Sequence, residues 1–449
     1  MKLNLRCNSD FKPSRCSGPI AIATALALLA TGSVFGQAAA PSAQQPPPVP
    51  AVPQMRVALD RAIELALQHN HTLLAARTTI DQNRASEITA NLRPDPVLSW
   101  DAQFLPVFQP GLFSADYLNN NAQFDLGVSY LFERGQKRQL RLTAAREATA
   151  VTDATVADNE RTLIFGVCQQ FIGALLANAN LELAEMDLAS FQDTVQISQS
   201  RFQAGDISQG DLLKIQLQLL QFQMDVNSAR LAKVQALAAL RQQVGFDALP
   251  ESYDVEGNLA YQPVPFQLDD LKAMALRTRP DLRAAQLSVA AAQGQYGLAQ
   301  AEGKRDLGAG FNYSHLGAAN TGSLFFNIQL PIFDRNQGEI ARTRVAITQA
   351  QETQAAQSEA VLTDVTNAYE NLRSNDAIMK LYASGYLQQA QDSRDISQYA
   401  YERGAVSLLD YLDAERSYRA TQLAYRQALA SYTLGLEQLR QAVGTRSLP

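Results

Sequence analysis

The feature that most constrains this chain is an ordered repetition. Arg201-Phe202-Gln203-Ala204-Gly205-Asp206-Ile207-Ser208-Gln209-Gly210-Asp211 returns as Ala400-Tyr401-Glu402-Arg403-Gly404-Ala405-Val406-Ser407-Leu408-Leu409-Asp410, with Gly, Ser and Asp each displaced by 199 positions. In both copies a Gly can end one helix and a Ser or Asp can cap the next. Each copy lies between two long helix-like segments, so each reads as the tight turn at the tip of a helical hairpin.

The repetition extends over the rest of the chain. Leu59-Asp60 through Ala75-Ala76 matches Leu268-Asp269 through Ala284-Ala285 at an offset of 209, and Phe132-Glu133-Arg134 matches Phe333-Asp334-Arg335 at 201. Each half reads as helix, hairpin of strands, long helix, tip, helix. The expected layout is a first repeat over 57–245, with one helical segment at 57–92, strands at about 97–105 and 123–132 and a tip at about 203–209. An inter-repeat segment, 246–266, follows. The second repeat covers 267–444, with strands at about 307–315 and 323–331, a hairpin loop from Gly317 to Gly322, one helical segment over 336–402 and a tip at about 402–408; a tail occupies 445–449. A segment of roughly 65–70 helical residues spans on the order of 100 Å. The helix before the strands and the helix after the tip together match that length, so two shorter helices can stack along each long one.

The strands decide where such a chain can live. Leu98, Trp100, Ala102 and Phe104 alternate with Ser99, Asp101 and Gln103; Phe124, Leu126, Val128, Tyr130 and Phe132 alternate with Gln123, Asp125, Gly127 and Ser129. The period of two predicts strands with one apolar and one polar face. The second half repeats the pattern at Leu307, Ala309, Phe311 and Tyr313 and at Leu324, Phe326, Ile328 and Leu330. An open four-stranded sheet invites edge pairing, and a barrel needs about eight strands or more to close. One chain cannot close it; two or three copies can. The apolar face then meets lipid and the polar face lines water. A half-buried sheet in a soluble coiled-coil scaffold is the alternative on pattern alone.

The N-terminus supports export. Lys2, Arg6, Lys12 and Arg15 precede an apolar run from about Ile20 to Phe35, then small residues near Gly36-Gln37-Ala38. This predicts a secretory signal peptide at 1–36, followed by a Pro-rich leader at 37–56. Cys7 and Cys16 would leave with the signal, and Cys16 precedes the apolar run, so no acylated Cys follows cleavage. Cys168 falls on the stripe Ile164, Cys168, Phe171, Leu175 and reads as a packed core thiol. No later run reaches 18 apolar residues, so no second helical span is expected. The net charge of −6, with no basic patch interleaved with aromatics, argues against nucleic acid.

These residues resemble the TolC-like outer-membrane efflux proteins. The resemblance runs from about residue 57 to 444. It rests on the duplicated helix–hairpin–helix plan, the paired Gly-x-x-Ser-x-x-Asp tips, and Leu330-Pro331-Ile332-Phe333-Asp334-Arg335 after the last strand. Pro94-Asp95-Pro96 and Glu133-Arg134-Gly135-Gln136-Lys137-Arg138 look like the heavy-metal-cation (CzcC-like) branch, whose usual forms are Pro-Asn-Pro and Glu-x-Gly-Gly-Lys-Arg. The resemblance implies a mainly α fold with a transmembrane β-barrel. It implies a homotrimer with a 12-stranded outer-membrane barrel, four strands per chain, and a long α-helical periplasmic barrel. It implies a passive conduit of a tripartite efflux system, for heavy-metal cations or drugs, with a periplasmic adaptor and an inner-membrane pump as partners. A type I secretion duct and a stand-alone porin remain alternatives.

The resemblance also implies roles for the tips. Gly205, Asp206, Ile207, Ser208, Gly404, Ala405, Val406 and Ser407 would contact the adaptor. Acidic residues past the second tip would ring the periplasmic entrance; the matching positions are Asp410 and Asp413, with Asp211 as first-repeat counterpart and Tyr401 beside them. Lys214 occupies the position matching Asp413 and offers an ion-pair partner. Acids near a helix N-terminus are favoured by the helix dipole alone, and that reading stands beside the gate. The family often has a basic residue two positions after the second tip Gly; here that position is Val406. No catalytic arrangement, cofactor motif or metal-ligand spacing is found: His69, His71 and His315 form no cluster with Cys or carboxylates.

Overall fold

The computed structural model describes residues 55–448. The signal segment and the leader up to residue 54 lie outside the described residues. Met55 and Arg56, expected to end that leader, instead form β1 (Met55–Val57), which pairs in parallel with β4 (Tyr253–Val255). Val57 is fully buried and Tyr253 nearly so, so this short ribbon pins the inter-repeat segment to the start of the first repeat. Three residues are too few to carry a readable period.

Each repeat opens with two helices where one was expected. In the first, α1 (Leu59–His69) and α2 (His71–Ala90) are separated at Asn70. Its Oδ1 accepts the Leu73 N–H at 3.0 Å and its Nδ2 donates to the Gln243 carbonyl at 2.8 Å. A side chain that satisfies a new helix start removes the reason to continue the old one. In the second repeat, α6 (Leu268–Thr278) and α7 (Pro280–Glu302) break at the corresponding position, Arg279. Pro280 has no N–H to continue the ladder and favours a first helical position. Arg279 is 5% exposed and reaches Asp281, Asp364 and the Ala442 carbonyl.

The strands are β2 (Val97–Gln103), β3 (Gln123–Phe132), β5 (Leu307–Leu316) and β6 (Ala319–Ile328), in one antiparallel sheet of order β2-β3-β5-β6. Between β2 and β3 lie a 3₁₀ turn, Pro110–Leu112, and a short helix, α3 (Ala115–Asn121), capped by Ser114. The β5–β6 hairpin is tighter than the sequence suggested. Only Gly317 and Ala318 lie outside the strands, and Gly317 has φ +57°. A two-residue hairpin needs that left-handed conformation, and it lets Ala319–Gly322 pair with Tyr313–Leu316. The register aligns Trp100, Leu126, Tyr313 and Gly322 across the sheet, and on the opposite face Asp101, Asp125, Ser314 and Thr321. On the apolar face Leu98, Trp100, Leu324 and Phe326 are about 70% exposed. Among the described residues nothing covers that face, and both edges, β2 and β6, are unpaired.

The helices carry the rest. α4 (Lys137–Ala204) is continuous over 68 residues, about 100 Å at helical rise. α5 (Gln209–Val244) returns along it, and α2 packs against its other half. The second repeat is not continuous. α8 (Gln337–Leu381) and α9 (Leu387–Glu402) are joined by a π-type turn, Tyr382–Tyr386, in which Gly385 has φ +109°. The expected single helix over 336–402 is therefore broken, at a Ser-Gly pair that favours kinks. α10 (Leu408–Val443) returns along α8, and α7 packs on α8's first part.

Two cores lie midway. One gathers Val57, Ile63, Leu163, Val167, Cys168, Phe171, Leu240 and Val244; the other Leu271, Val361, Val365, Leu372, Leu439 and Val443. Cys168 is fully buried, which with nearby Glu437 pushes its thiol up to about 12. By length and mean composition alone α4 is apolar enough to cross a membrane, although it contains no uninterrupted run of 18 apolar residues. Its buried residues Val167, Phe171, Ile172 and Ala174 belong to a helix packed by α1, α2, α5 and α10, so packing accounts for that composition.

Candidate functional site

Both tips are built the same way. At the first, Gly205 has φ +86°, its N–H donates to the Phe202 carbonyl at 3.0 Å, and the Asp206 N–H donates to the Arg201 carbonyl at 2.9 Å. At the second, Gly404 has φ +71°, with Gly404 N–H to Tyr401 O at 2.9 Å and Ala405 N–H to Ala400 O at 2.8 Å. These paired bonds satisfy the orphan carbonyls of the outgoing helix. Ser208 then caps α5 by accepting the Asp211 N–H at 3.1 Å, and Ser407 caps α10 by accepting the Asp410 N–H at 3.3 Å. Gly205, Asp206, Ser208, Gly404, Ala405 and Ser407 are exposed; Ile207 and Val406 are half-buried.

The acidic residues fall into three situations. Asp410 reaches back to the Ser407 backbone N–H at 3.2 Å and accepts the Ser407 hydroxyl at 2.7 Å, completing a capping box. Asp211 accepts the Ser208 hydroxyl at 2.8 Å and pairs with Lys214 at 3.3 Å. Those two partners hold its carboxyl below the usual carboxylate range. Asp413 is exposed, one turn beyond Asp410 on α10. Lys214 therefore pairs along its own helix with Asp211 and, within the single chain, not with Asp413.

Tyr401 is placed differently from the entrance role read for it. It is 4% exposed and stacks on Tyr411, ring centroids 5.3 Å apart at 9°. Its phenol lies 3.4 Å from Ser198 Oγ, and the Tyr411 phenol lies 3.2 Å from Thr194 Oγ1. Burial pushes the Tyr411 phenol up to about 12. Both rings join Phe191, Ile215, Phe222, Leu408 and Leu412 in a third core, with Val406 packed against it. An apolar residue at position 406 thus has a packing role.

Residues not singled out in the sequence tie the two tips together. Arg201 from the first tip donates to the Tyr401 carbonyl at 2.7 Å and lies 5.2 Å from the Tyr401 ring centroid. Deeper, Arg419 on α10 bridges Asp187 on α4 at 3.1 Å and Asp225 on α5 at 2.5 Å. Its guanidinium lies 4.3 Å over Phe222, which stacks on Phe191. Glu415, 7% exposed, sits near this bridge. Burial raises the Glu415 carboxyl above its usual range, and burial also outweighs Arg419 in raising Asp187. The only sequence signal for this cluster was charge at otherwise apolar stripe positions, which does not say which helices meet. Among the described residues, no group of three or more His, Cys, Asp or Glu is placed to hold a metal ion.

Comparison with known proteins follows this geometry. The sequence pattern described as "Outer membrane efflux protein" matches residues 62–245 and 271–445, one match per repeat. The cobalt-zinc-cadmium resistance protein CzcC of Cupriavidus metallidurans is 25% identical over 376 residues, covering 82% of this chain and 85% of the relative. The pyoverdine export outer membrane protein OpmQ of Pseudomonas aeruginosa is 26% identical, covering 86% and 83%. Among solved structures, CusC shares the fold with a TM-score of 0.71 at 21% identity, covering 90% of this chain and 98% of that one. The open-state MtrE channel of Neisseria gonorrhoeae gives 0.71 at 19% identity, covering 86% and 89%.

Proposed function

The chain belongs to the outer membrane efflux protein family, and from that premise we propose that three copies form one continuous duct from the outer membrane to an adaptor in the periplasm. As a family member it is an outer-membrane efflux channel that extends into the periplasm. The observation that carries the trimer is the sheet: four strands, two unpaired edges and an exposed apolar face. Joining β6 of one copy to β2 of the next removes every edge and supplies twelve strands. The apolar residues then meet lipid, and Ser99, Asp101, Gln103, Asp125 and Asn312 line water.

The helices continue the wall toward the tips, where the exposed residues at Gly205–Ser208 and Gly404–Ser407 meet a periplasmic adaptor fed by an inner-membrane pump. Asp410 and Asp413 from three copies place six carboxylates around the entrance and favour cations. Asp413 is the freer of the two, because Asp410 also holds its own helix start. The cargo is a metal cation or a small organic export substrate, the two classes named in CzcC and OpmQ.

Cysteines placed at Ser208 and Ser407 and crosslinked in cells test the partner: capture of an adaptor at either tip supports the pump assembly, and no capture favours a stand-alone duct. Recovery of the protein only in the soluble periplasm would overturn the barrel. In planar bilayers, Asp410→Ala with Asp413→Ala is expected to raise conductance or weaken cation preference; an unchanged channel removes the gate assignment.

A further inference from the structure

Where the strands hand over to the helices, charge gathers. Phe132 in β3 faces Leu307 in β5, and both belong to the apolar series. Two residues beyond each, just outside the strands, stand Arg134 and Arg305. The residues between them, Glu133 and Asp306, have other partners. Glu133 accepts from Arg141 at 3.0 Å, and Asp306 pairs with Lys137 at 2.7 Å and accepts the Arg134 backbone N–H at 2.9 Å. The acids of this junction are therefore taken up by groups other than the Arg134 and Arg305 side chains.

Lys304 and Arg335 join those cations. The Lys304 side chain crosses over Gly135, where an added Cβ would lie 2.5 Å from Lys304 Cδ. The Arg335 Nε donates to the Pro331 carbonyl at 3.1 Å. With Gly135, Gly303 and Pro331, the four residues Arg134, Lys304, Arg305 and Arg335 line a cleft of about 710 Å³ that has no acid in its wall. All four are exposed, and none has a carboxylate within ion-pair distance among the described residues. Neighbouring Asp334 accepts the Asn336 N–H at 2.8 Å. Next to the cleft, Leu330, Ile332 and Phe333 are 69%, 65% and 90% exposed.

We propose that this cleft binds the phosphate of an anionic phospholipid headgroup in the periplasmic leaflet, with the acyl chains along Leu330, Ile332 and Phe333. The inference rests on the outer-membrane reading of the sheet. Four like charges converging on one cleft repel each other unless an anion sits among them. Three guanidinium groups suit bidentate phosphate contact. The adjoining apolar residues select a lipid over a free anion, because inorganic phosphate leaves them bare. Such a clamp would fix the depth of the barrel in the bilayer.

The full-length mature protein, delipidated in neutral detergent, tests this. Lipid retention is read by native mass spectrometry and thermal melting after adding phosphatidylglycerol, phosphatidylcholine or inorganic phosphate. Phosphatidylglycerol alone is expected to be retained and to raise the melting temperature. Each cation removed, as in Arg134→Gln or Arg305→Gln, is expected to lower retention about fivefold, with the lipid-free melting temperature unchanged. Equal retention of the two lipids, or full retention by the double variant, overturns the proposal. An equal shift with inorganic phosphate reassigns the cleft to a free anion. Failure of the protein to fractionate with the outer membrane defeats the barrel reading instead, so the two failures are separable.

Discussion

The turn at Gly205 and the turn at Gly404 share a backbone: a left-handed glycine, two closing hydrogen bonds and a serine cap three residues on. Their surroundings do not match. Both pairs of helices feed one tip core, but the second turn buries Tyr401 and Leu412 there, whereas the matching Phe202 and Leu213 of the first turn remain 38% and 52% exposed and its helices reach the core through Phe191, Ile215 and Phe222. The helix entering the first tip runs unbroken for 68 residues; the one entering the second is interrupted at Gly385, 17 residues before its end at Glu402. Duplication thus preserves the local solution, while packing between repeats gives each copy its own task. The first tip braces, through Arg201 and the α4 face, and the second is braced.

The largest effect expected from breaking that arrangement is at Arg419. Arg419→Ala leaves Asp187 and Asp225 without their shared partner and is expected to cost about 3–5 kcal/mol. The loss should appear as a lower urea midpoint and faster hydrogen exchange in both tips. Exchange confined to one tip would show that the repeats are not coupled there. Next are the turns themselves. Gly205→Ala and Gly404→Ala force a left-handed Cβ and should cost about 1–2 kcal/mol each. The two losses should be similar, because Gly205 faces open space and a Cβ at Gly404 meets only the end of the Arg201 side chain at 3.4 Å, an ordinary contact. Clearly different melting temperatures for the two variants would show that the shared backbone is not strained alike in the two tips.

Smaller effects sharpen it. Ser208→Ala and Ser407→Ala should each cost about 1 kcal/mol, with the larger loss at Ser407, whose cap is reciprocated by Asp410. Helix-end exchange rates at α5 and α10 would rank them. The smallest is a pH effect at Glu415. Its folded carboxyl titrates above the ordinary value of 4.5, so the folded state holds a proton that the unfolded chain has released. By linkage this contribution weakens as pH rises from about 4.5 through the folded value. Glu415→Gln should flatten that dependence in the tip segment and leave it near its low-pH stability. An unchanged pH profile would mean Glu415 stays charged in place.

Much of this fold could be read in the chain because its signals are local. Alternation at 97–103 and 123–132 requires only a strand with two unlike faces, and Gly-x-x-Ser requires only a turn. The breaks at Asn70 and Gly385 were harder. Asn70 ends a helix because its side chain finds Leu73 and the distant Gln243 carbonyl, and a lone Gly in a helical stretch is often tolerated. The tip core was harder still. Tyr401 could be located next to a tip, but not turned inward, because its direction depends on Ser198, Tyr411 and Arg201 from two other helices.

The sequence by itself determined the duplication, the alternating strands, the long helices and the turns, since each follows from residues within a few positions of one another. Only the tertiary structure decided that Val406 and Tyr401 are core, that Arg419 joins three helices, and that four cations share an acid-free cleft. Those outcomes depend on residues far apart in the chain meeting in space, as Arg201 with Tyr401 at a separation of 200 and Arg419 with Asp187 at 232, and the period of a single segment carries no information about what lies across from it.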